Sequence, residues 1–561
     1  MRSFGRVAPA PGRAVAGIAA LLQLGLASAA PIDMGDSDMK MRWDNTFKYS
    51  AGFRTKAASQ DVAASFVNPN VDSGDLSLDK GLINNRLDWL SELDMSYKGV
   101  GARISANAWY DSVYQRGNND FPGNVPFPNT SDAVTGGPNN VFTARAQKLM
   151  GRKAELSDAF LYGNTDLGDG MRLSARVGRH TQLFGETLFL GANGIANAQG
   201  PVDLIKLFSV PSAQFKEIAL PVGQASGTLQ FNSSLSVSAY YQYEWRALRL
   251  PAAGTYFNPA DFVGDGGDVL LTPSGGAATR ARDLEGDRSG QFGARLKFKI
   301  PGSEVEYGLY AAKYHDKAPI PVLNAIETGQ FGGGTYQLMY AKNIKVYGAS
   351  FSTLIGETNV SGEISTRRDT PLAPLGDLVV NFDPRADNDK NTPYAVGNSF
   401  HANLSAIGLF NASPLWDGAS VVGELAFNRL LSVTRNPVNP AAPNGVLNAT
   451  HTRDAWAMRA IFQPEYFQIL PGVDLQVPIG LGWGIAGRSA IFQVAPEHGG
   501  DVSIGFNVDY QKTWRASVQY IQFYGPAGPA PSLNPLSNTS ASYKQYYKDR
   551  NFITLSVQRT F

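Results

Sequence analysis

The chain has 561 residues, among them 59 glycines, 30 phenylalanines and 23 tyrosines, and it has no cysteine. A formal charge of +1 at pH 7 gives no argument for a nucleic-acid partner, and the lack of cysteine excludes disulfide staples. The length suggests several soluble domains, yet no linker or change of composition divides the chain. A closed β-barrel resolves this conflict, because it grows by adding strands and needs no larger core.

The N-terminal segment has the pattern of a secretory signal peptide. Arg2, Arg6 and Arg13 form a positive region, an apolar run follows over 14–27, and small residues suited to cleavage occupy 27–29. An N-terminal anchor is the competing interpretation, but the apolar run is shorter than the roughly 20 residues that span a bilayer. We therefore predict a signal peptide at 1–29, export, and one domain over 30–561.

Apolar and polar residues then alternate along many short segments, as side chains do on the two faces of a β-strand. In the first segment, Trp43 and Phe47 oppose Asp44 and Lys48. Segments with this period lie at 41–56, 87–97, 102–111, 171–180, 235–246, 292–300, 304–314, 336–342, 345–355, 359–366, 402–410, 420–428, 455–462, 473–484, 502–510, 514–524 and 551–561. A soluble sandwich also alternates, but it rarely places charges of both signs on nearly every polar face. We predict an all-β fold, a transmembrane antiparallel barrel of about 16 strands, with 14–18 compatible with the pattern, around an aqueous lumen.

Two kinds of connection separate these segments. Tight turns are predicted at 98–101 and 301–303, and long stretches rich in Gly, Pro, Asn and Asp at 57–81, 115–152, 250–287, 370–398 and 437–452. Short turns at one end and long loops at the other are typical of outer-membrane barrels, whose long loops face outside the cell. Partial disorder of the loop tips is the alternative.

Residues 179–214 break the strand pattern. Gly185 and Gly194 are turn positions, and a short helix is predicted at 204–208 after Pro201. Irregular backbone cannot face lipid, so this stretch is either an external loop or a segment inserted in the lumen as a constriction or plug. Its many apolar residues favour insertion. The candidate constriction residues are Arg176, Arg179, His180, Glu186, Asp203, Lys206, Lys216 and Glu217.

Charged residues of both signs alternate along the predicted inner face of the wall. They are Arg86, Asp88, Glu92, Asp94, Arg103, Asp111, Arg172, Glu244 and Arg246. In one interpretation they pair across strands and stiffen the barrel. In the other they create a transverse field that orders water and selects solutes.

The last segment, 551–561, places Ile553, Leu555 and Val557 on one face and ends on Phe561. A soluble edge strand has the same pattern. With the preceding strands, however, it is expected to pair with the first strand near Trp43 and close the barrel.

Five blocks resemble a known family: WDNTFKYSAGFR at 43–54, DKGLINNRLDWLSELD at 79–94, AWYDSVY at 108–114, the run at 177–224, and YYQYEWR at 240–246. They are similar to the family numbered 1302 among domains of unknown function. The resemblance implies a porin-like protein of the Gram-negative outer membrane, surrounded by lipid and lipopolysaccharide, that passes small hydrophobic molecules such as steroids, terpenoids or aromatics. It also implies a periplasmic family-1329-type protein and a resistance-nodulation-division-type transporter as partners, and Phe561 as the recognition signal for the barrel assembly machinery.

Catalysis finds little support in the sequence. The chain has five histidines, none in a GxSxG-type elbow, and it has no HExxH motif. The acidic turn at 265–268 more often serves as a turn than as a Ca²⁺ site. We expect no enzyme activity, no cofactor and no metal site. A non-conducting barrel that anchors a trans-envelope complex is the alternative to a channel.

Overall fold

The computed structural model describes residues 31–32, 34, 37–63, 68–116, 141–209, 215–271, 276–325, 334–373, 377–437, 451–493, 495–530 and 542–561. The predicted signal peptide, 1–29, lies outside the described residues. No helix within these ranges is long and apolar enough to span a membrane.

Within the described ranges, eighteen antiparallel strands form a closed wall, named β1–β18 in chain order. They are β1 Met39–Arg54, β2 Gly81–Tyr97, β3 Val100–Asp111, β4 Arg152–Gly168, β5 Met171–His180, β6 Val222–Asn232, β7 Leu235–Gln242, β8 Gln291–Lys299, β9 Glu306–Tyr314, β10 Ile344–Ile355, β11 Thr358–Pro371, β12 Val396–Phe410, β13 Gly418–Arg435, β14 Asp454–Leu470, β15 Val473–Gln476 with Ile479–Ala486, β16 Gly500–Tyr510, β17 Trp514–Tyr524 and β18 Phe552–Thr560. The two parts of β15 pair with the same neighbours, so they count as one strand interrupted near Pro478.

The all-β barrel prediction is confirmed, and the wall has two strands more than the expected 16. Strands β4 and β6 were not predicted. The alternating segment at 336–342 was assigned to the wall, and this was wrong: Thr335–Met339 belongs to a separate sheet. Its period of two arises because any half-buried sheet produces the same alternation.

The wall has its polar side inside and its apolar side outside. On β12, Asn403 is 5% exposed whereas the adjacent Leu404 is 50% exposed. The same contrast recurs around the barrel, with apolar residues exposed at Trp43, Trp89, Leu161, Val177, Tyr347, Ile364 and Phe506. A soluble monomer rarely exposes so much contiguous apolar surface, so this exterior is suited to a lipid environment.

The connections differ at the two ends of the barrel. The turn between β2 and β3 has only Lys98 and Gly99, with φ of 46° and 85°, as a two-residue hairpin with both central residues at positive φ requires. The long connections at the other end contain secondary structure of their own. Part of it is a five-stranded sheet, the loop sheet, in the order Val379–Asn381, Ile320–Asn324, Thr335–Met339, Ala277–Arg280, Val269–Leu271. This sheet packs against buried side chains of the wall such as Val346 on β10.

The barrel closes where β18 pairs with β1, from Thr46 opposite Thr560 to Arg54 opposite Phe552. The Phe561 amide extends this pairing by donating to the Asn45 carbonyl at 2.9 Å. The predicted closure by the terminal strand is therefore confirmed.

Buried ion pairs fix the loop end of this seam. The Asp75 carboxylate lies 2.8 Å from the Arg54 guanidinium and 3.2 Å from that of Arg550. The Arg550 guanidinium also donates to the Tyr256 carbonyl at 2.6 Å. Three long connections are thus tied together where the wall closes.

Candidate functional site in the barrel lumen

The connection between β5 and β6 crosses the lumen and contacts β11, β12 and β13, at least five strands away around the wall. Its described residues, 181–209 and 215–221, are called the lumen segment. It contains a 3₁₀ turn at Ile195–Ala198 and short helices at Leu204–Ser209 and Phe215–Ile218. The contacts described next confirm the predicted insertion into the lumen and the predicted helix.

The first anchor of the lumen segment is Glu363 on β11, a buried side chain on the inner face. Its carboxylate accepts hydrogen bonds from the backbone amides of Glu186 at 2.6 Å and Ile195 at 2.8 Å. A Cβ atom at Gly185 or Gly194 would lie 2.3 or 2.4 Å from the carboxylate oxygens. Glycine is therefore required at both positions for the backbone to reach the wall.

The second anchor is Glu424 on β13. One of its carboxylate oxygens accepts from the backbone amides of Leu188, Phe189 and Leu190 at 3.3, 2.6 and 2.8 Å. The other accepts from the Asn403 side chain at 2.8 Å. Successive amides converging on one anionic oxygen satisfy donors that would otherwise be buried without partners.

The tip of the lumen segment is held by Asn193, which is completely buried. Its amide donates to the Asn403 side chain at 2.9 Å, and its oxygen lies 3.0 Å from Nδ1 of His401. The Arg367 guanidinium on β11 donates to the carbonyls of residues 192–194 at 2.9–3.0 Å. The wall thus bonds both the amides and the carbonyls of this stretch.

A cavity of about 280 Å³ lies between the lumen segment and the wall formed by β14–β17. The lumen segment supplies an apolar lining, made of Phe189, Leu204, Leu207, Phe208, Phe215 and Ile218. The wall contributes Arg459, Gly482, Asp501 and Phe523, and the turn after β9 contributes Lys317. The cavity therefore has an apolar side and a charged side, the arrangement of many small-molecule sites.

One ion pair crosses the wall strand β15 beside this cavity. The Arg459 guanidinium on β14 bonds both carboxylate oxygens of Asp501 on β16, at 2.5 and 3.1 Å. Gly482 on β15 stands between them in register, and a Cβ atom there would lie 2.4 Å from Nη2 of Arg459. Because Gly482 has no side chain, the two charged groups can meet over the strand.

A family profile described as "Protein of unknown function (DUF1302)" matches residues 10–561. The chain belongs to this family. The resemblance found in the sequence blocks is confirmed. No curated protein matches the chain.

Three solved structures illustrate the similarity of the fold. OccAB2 of Acinetobacter baumannii is 9% identical, with a TM-score of 0.40 over 93% of this chain and 98% of that one. OccK2 (OpdF) of Pseudomonas aeruginosa, solved in complex with glucuronate, is 9% identical, with a TM-score of 0.38 over 93% and 98%. The outer membrane channel DcaP of Acinetobacter baumannii is 8% identical, with a TM-score of 0.36 over 95% and 100%.

Several predicted constriction residues of this family member hold the lumen segment in place. The Glu186 carboxylate lies 3.1 Å from Nζ of Lys297 on β8, and the Asp203 carboxylate lies 2.8 Å from the Arg249 guanidinium. Nζ of Lys206 donates to the Glu217 carbonyl at 2.8 Å. The cavity is lined by other residues. The side chain of Lys216 lies outside what the structure describes.

The two neighbours Arg179 and His180 lie on opposite faces of β5. His180 is buried, with Nε2 2.7 Å from the Ser226 hydroxyl. Arg179 shares its face with Val177, which is exposed on the outside, and its guanidinium pairs with Glu244 at 2.9 Å. Arg179 is therefore not placed at the constriction. Arg176, on the same face as His180, lies over the ring of Phe160 at 5.6 Å.

Glu244 was predicted for the inner wall, and the structure places it otherwise. The strand β7 ends at Gln242, and the amides of Tyr243 and Glu244 both donate to the Gly223 carbonyl, at 3.1 and 3.2 Å. Two residues thus oppose one, as in a β-bulge, so the alternation fails and Glu244 reaches Arg179. Arg246 lies beyond the strand and donates to the Pro221 carbonyl at 3.1 Å.

Most of the remaining predicted wall charges are paired. The Arg86 guanidinium lies 2.5 Å from the Asp88 carboxylate and 4.6 Å from the ring centre of Trp109. Arg103 on β3 forms an ion pair with Glu92 on β2. This arrangement agrees with charges that pair and stiffen the wall.

The last three predicted wall charges differ in their surroundings. The Asp94 carboxylate accepts from the Tyr162 hydroxyl at 2.7 Å. Asp111 is buried and accepts from the amides of Asn85 and Val113 at 3.0 Å. Arg172 lies 3.9 Å from Asp166 in a pair whose two side chains are mostly exposed near a tight turn.

Sequence reasoning missed the residues that define the site. Glu363, Glu424, Arg459 and Asp501 each lie on a predicted strand at a position that alternates with apolar residues. That signal indicates an inward side chain but not its partner. Glycines at 480, 482 and 484 alternate with apolar residues on β15, and this regular spacing was a visible sign of an open inner face.

Proposed function

We propose that the chain is an outer-membrane channel for small, fairly hydrophobic organic molecules, and that the lumen segment narrows the passage. The closed barrel with an apolar exterior and a polar interior supports the membrane location. A wall of this size encloses an aqueous bore unless something fills it. The lumen segment fills part of that bore.

The observation that carries the proposal is the cavity beside the anchored segment. Backbone groups of the segment are bonded to Glu363, Arg367 and Glu424 on one side of the barrel. Apolar side chains of the same segment face the cavity on the other. A solute passing between the segment and β14–β17 would therefore meet apolar surface next to charged groups, a combination suited to a molecule with an apolar body.

Replacing residues 186–209 by a short Gly-Ser linker tests the role of the segment. We expect a several-fold higher single-channel conductance in planar bilayers, because barrels of this size without a filled lumen conduct as wide pores. Folding of the variant is checked by the heat-dependent shift of its mobility on gels. Unchanged conductance of a folded variant would contradict the role of the segment as a constriction.

Growth tests the type of solute. A strain lacking the protein should grow more slowly on hydrophobic carbon sources, and the wild-type chain should restore growth. Equal growth on every source would contradict an uptake role. The family-1329-type periplasmic protein and the resistance-nodulation-division-type transporter remain proposed partners, tested by copurification with the tagged barrel.

A further inference from the structure

Two buried cations at the cavity have no acidic partner. Lys317 follows β9 and is 4% exposed, and Arg367 on β11 is 3% exposed. Nζ of Lys317 donates to the Ala198 carbonyl at 3.1 Å and lies 4.9 Å from the ring centre of Tyr314. In the part of the chain that the structure describes, neither cation has a carboxylate oxygen within ion-pair distance.

Both cations bond the same stretch of the lumen segment. Arg367 donates to the carbonyls of residues 192–194, and Lys317 to the carbonyl of Ala198. Carbonyl dipoles stabilise these charges but do not neutralise them. A positive charge held away from water gains strongly when an anion approaches, because the local dielectric constant is low.

The other charged groups around the cavity do not supply that anion. The lining includes the cations Lys317, Arg367, Arg459 and Lys544 and the anions Asp316 and Asp501, which leaves two positive charges in excess. Asp501 is bonded through both oxygens to Arg459. Asp316 accepts from the amides of Lys317 and Ala318, at 2.7 and 3.1 Å.

The opposite side of the cavity is apolar. Leu204, Leu207 and Phe208 on one short helix, with Phe215 and Ile218 on the next, line it. These side chains offer a surface for a compact hydrocarbon body but no partner for a polar head. The polar head of a bound molecule would therefore turn towards the two cations.

We propose that the cavity binds an amphipathic organic anion, with its apolar body against the short helices and its carboxylate, or a similar head, against Lys317 and Arg367. This inference rests on the proposed channel function and names the class of solute for which the passage is selective. A neutral hydrocarbon would leave the two cations unpaired, and an organic cation would be repelled.

Adamantane-1-carboxylate and protonated 1-adamantanamine form a matched pair of probes, with one apolar body and opposite charges. Binding to the purified full chain in detergent is measured by titration calorimetry, with empty micelles as the blank. We expect the carboxylate to bind roughly tenfold or more tightly than the ammonium, since one charged hydrogen bond is worth about 1.5–3 kcal/mol. Equal binding of the two probes would overturn the proposal, and this comparison needs no variant.

Substitutions then locate the recognition. Lys317→Met should lower carboxylate affinity about tenfold and leave ammonium binding unchanged, whereas Lys317→Arg should retain the preference. Lys98→Met is the matched control, because Lys98 lies in the exposed turn between β2 and β3 and pairs with Asp38. A folded Lys317→Met variant with wild-type carboxylate affinity would contradict the assignment of the head group to Lys317.

Conductance of the same preparations separates this inference from the proposed function. A preparation that binds the carboxylate through Lys317 but carries no current would refute the channel and leave the anion site standing. A conducting preparation without preference between the probes would refute the anion site alone.

Discussion

The two sides of the lumen segment are built in different ways. Towards β11–β13, backbone amides and carbonyls are bonded to buried charged side chains, and glycines at 185 and 194 allow close approach. Towards β14–β17, the segment presents apolar side chains across an open cavity, and the wall opposite includes Gly482. One side is held through the backbone, and the other is shaped by side chains.

This difference separates fixation from lining. Carboxylates such as Glu363 and Glu424 bond main-chain groups that every residue possesses, so the side chains of the segment are not consumed by anchoring. Side chains such as Leu207 can therefore change the cavity without loosening the anchors. The charged residues predicted for the constriction have a third role, since Glu186 and Asp203 pair with Lys297 and Arg249.

Removing the anchors should have the largest effect. In Glu424→Ala, the amides of residues 188–190 lose their buried acceptor, at a cost of about 1–3 kcal/mol for each orphaned donor. We expect a lower free energy of unfolding in urea and large current fluctuations in planar bilayers, because the segment is then released. Glu363→Ala should act in the same direction.

The control for the anchor is Glu424→Gln, which retains an acceptor oxygen in a side chain of the same shape. It should lose less stability than Glu424→Ala and conduct with less noise. If the two variants behave alike in both measurements, hydrogen bonding to Glu424 does not hold the segment.

A unique thiol tests the open side. The chain has no cysteine, so Leu207→Cys places a single reactive group on the cavity lining. A negatively charged methanethiosulfonate reagent should modify it and block most of the current, because its bulk would occupy the passage. Leu404→Cys, on the lipid-facing side of β12, is the control and should leave the current unchanged. Unaltered current after complete modification of Cys at 207 would place the passage elsewhere.

How much of the wall was predictable depends on how regular each strand is. Most strands alternate cleanly and were predicted, but β4 has a register shift opposite Ile104 and Ala106, so its outward residues Leu156 and Leu161 have opposite parity. On β6 the outward positions include Gly223, Ala225 and Gly227, which are too small to give a clear apolar face. Local sequence carries no other sign of these two strands.

The anchors and the cavity were beyond prediction for a different reason. The carboxylates of Glu363 and Glu424 meet amides that are well over a hundred residues away in sequence. An alternating pattern indicates which way a side chain points, but it does not say what lies across the lumen. Insertion of residues 179–214 was predictable because irregular backbone cannot face lipid, whereas the partners of that segment required the three-dimensional structure.

Anion binding at the cavity should depend on pH. Burial away from water lowers the pKa of Lys317 to about 7, with Asp316 opposing the shift. The lysine is charged below that pKa and neutral above it, so carboxylate affinity should fall about tenfold between roughly pH 6 and pH 8.5. The bound anion stabilises the charged form, so the midpoint should lie above the pKa of the empty site.

The groups around Lys317 do not produce this change. Tyr314 on β9, Asp316 and His315 in the same turn, and Arg367 on β11 are the neighbours that carry or can acquire charge. Burial lowers the pKa of His315, so it stays neutral over this range. Calorimetry with Lys317→Met should therefore give carboxylate affinities that are flat with pH. A pH dependence that persists in this variant would assign the titration to another group.

The smallest effect is expected from one methyl group on the open side. In Gly482→Ala, the new Cβ would meet Nη2 of Arg459 at 2.4 Å and a carboxylate oxygen of Asp501 at 2.8 Å, so the ion pair must separate or bend into the cavity. We expect a loss of about 1 kcal/mol in the free energy of unfolding, as for overpacking at a partly exposed pair, and a modest fall in conductance. Gly423→Ala is the matched control, because the nearest atom to its Cβ is 4.0 Å away. If both substitutions lower conductance equally, the Arg459–Asp501 pair does not border the passage, and the open side of the comparison must be drawn elsewhere on the wall.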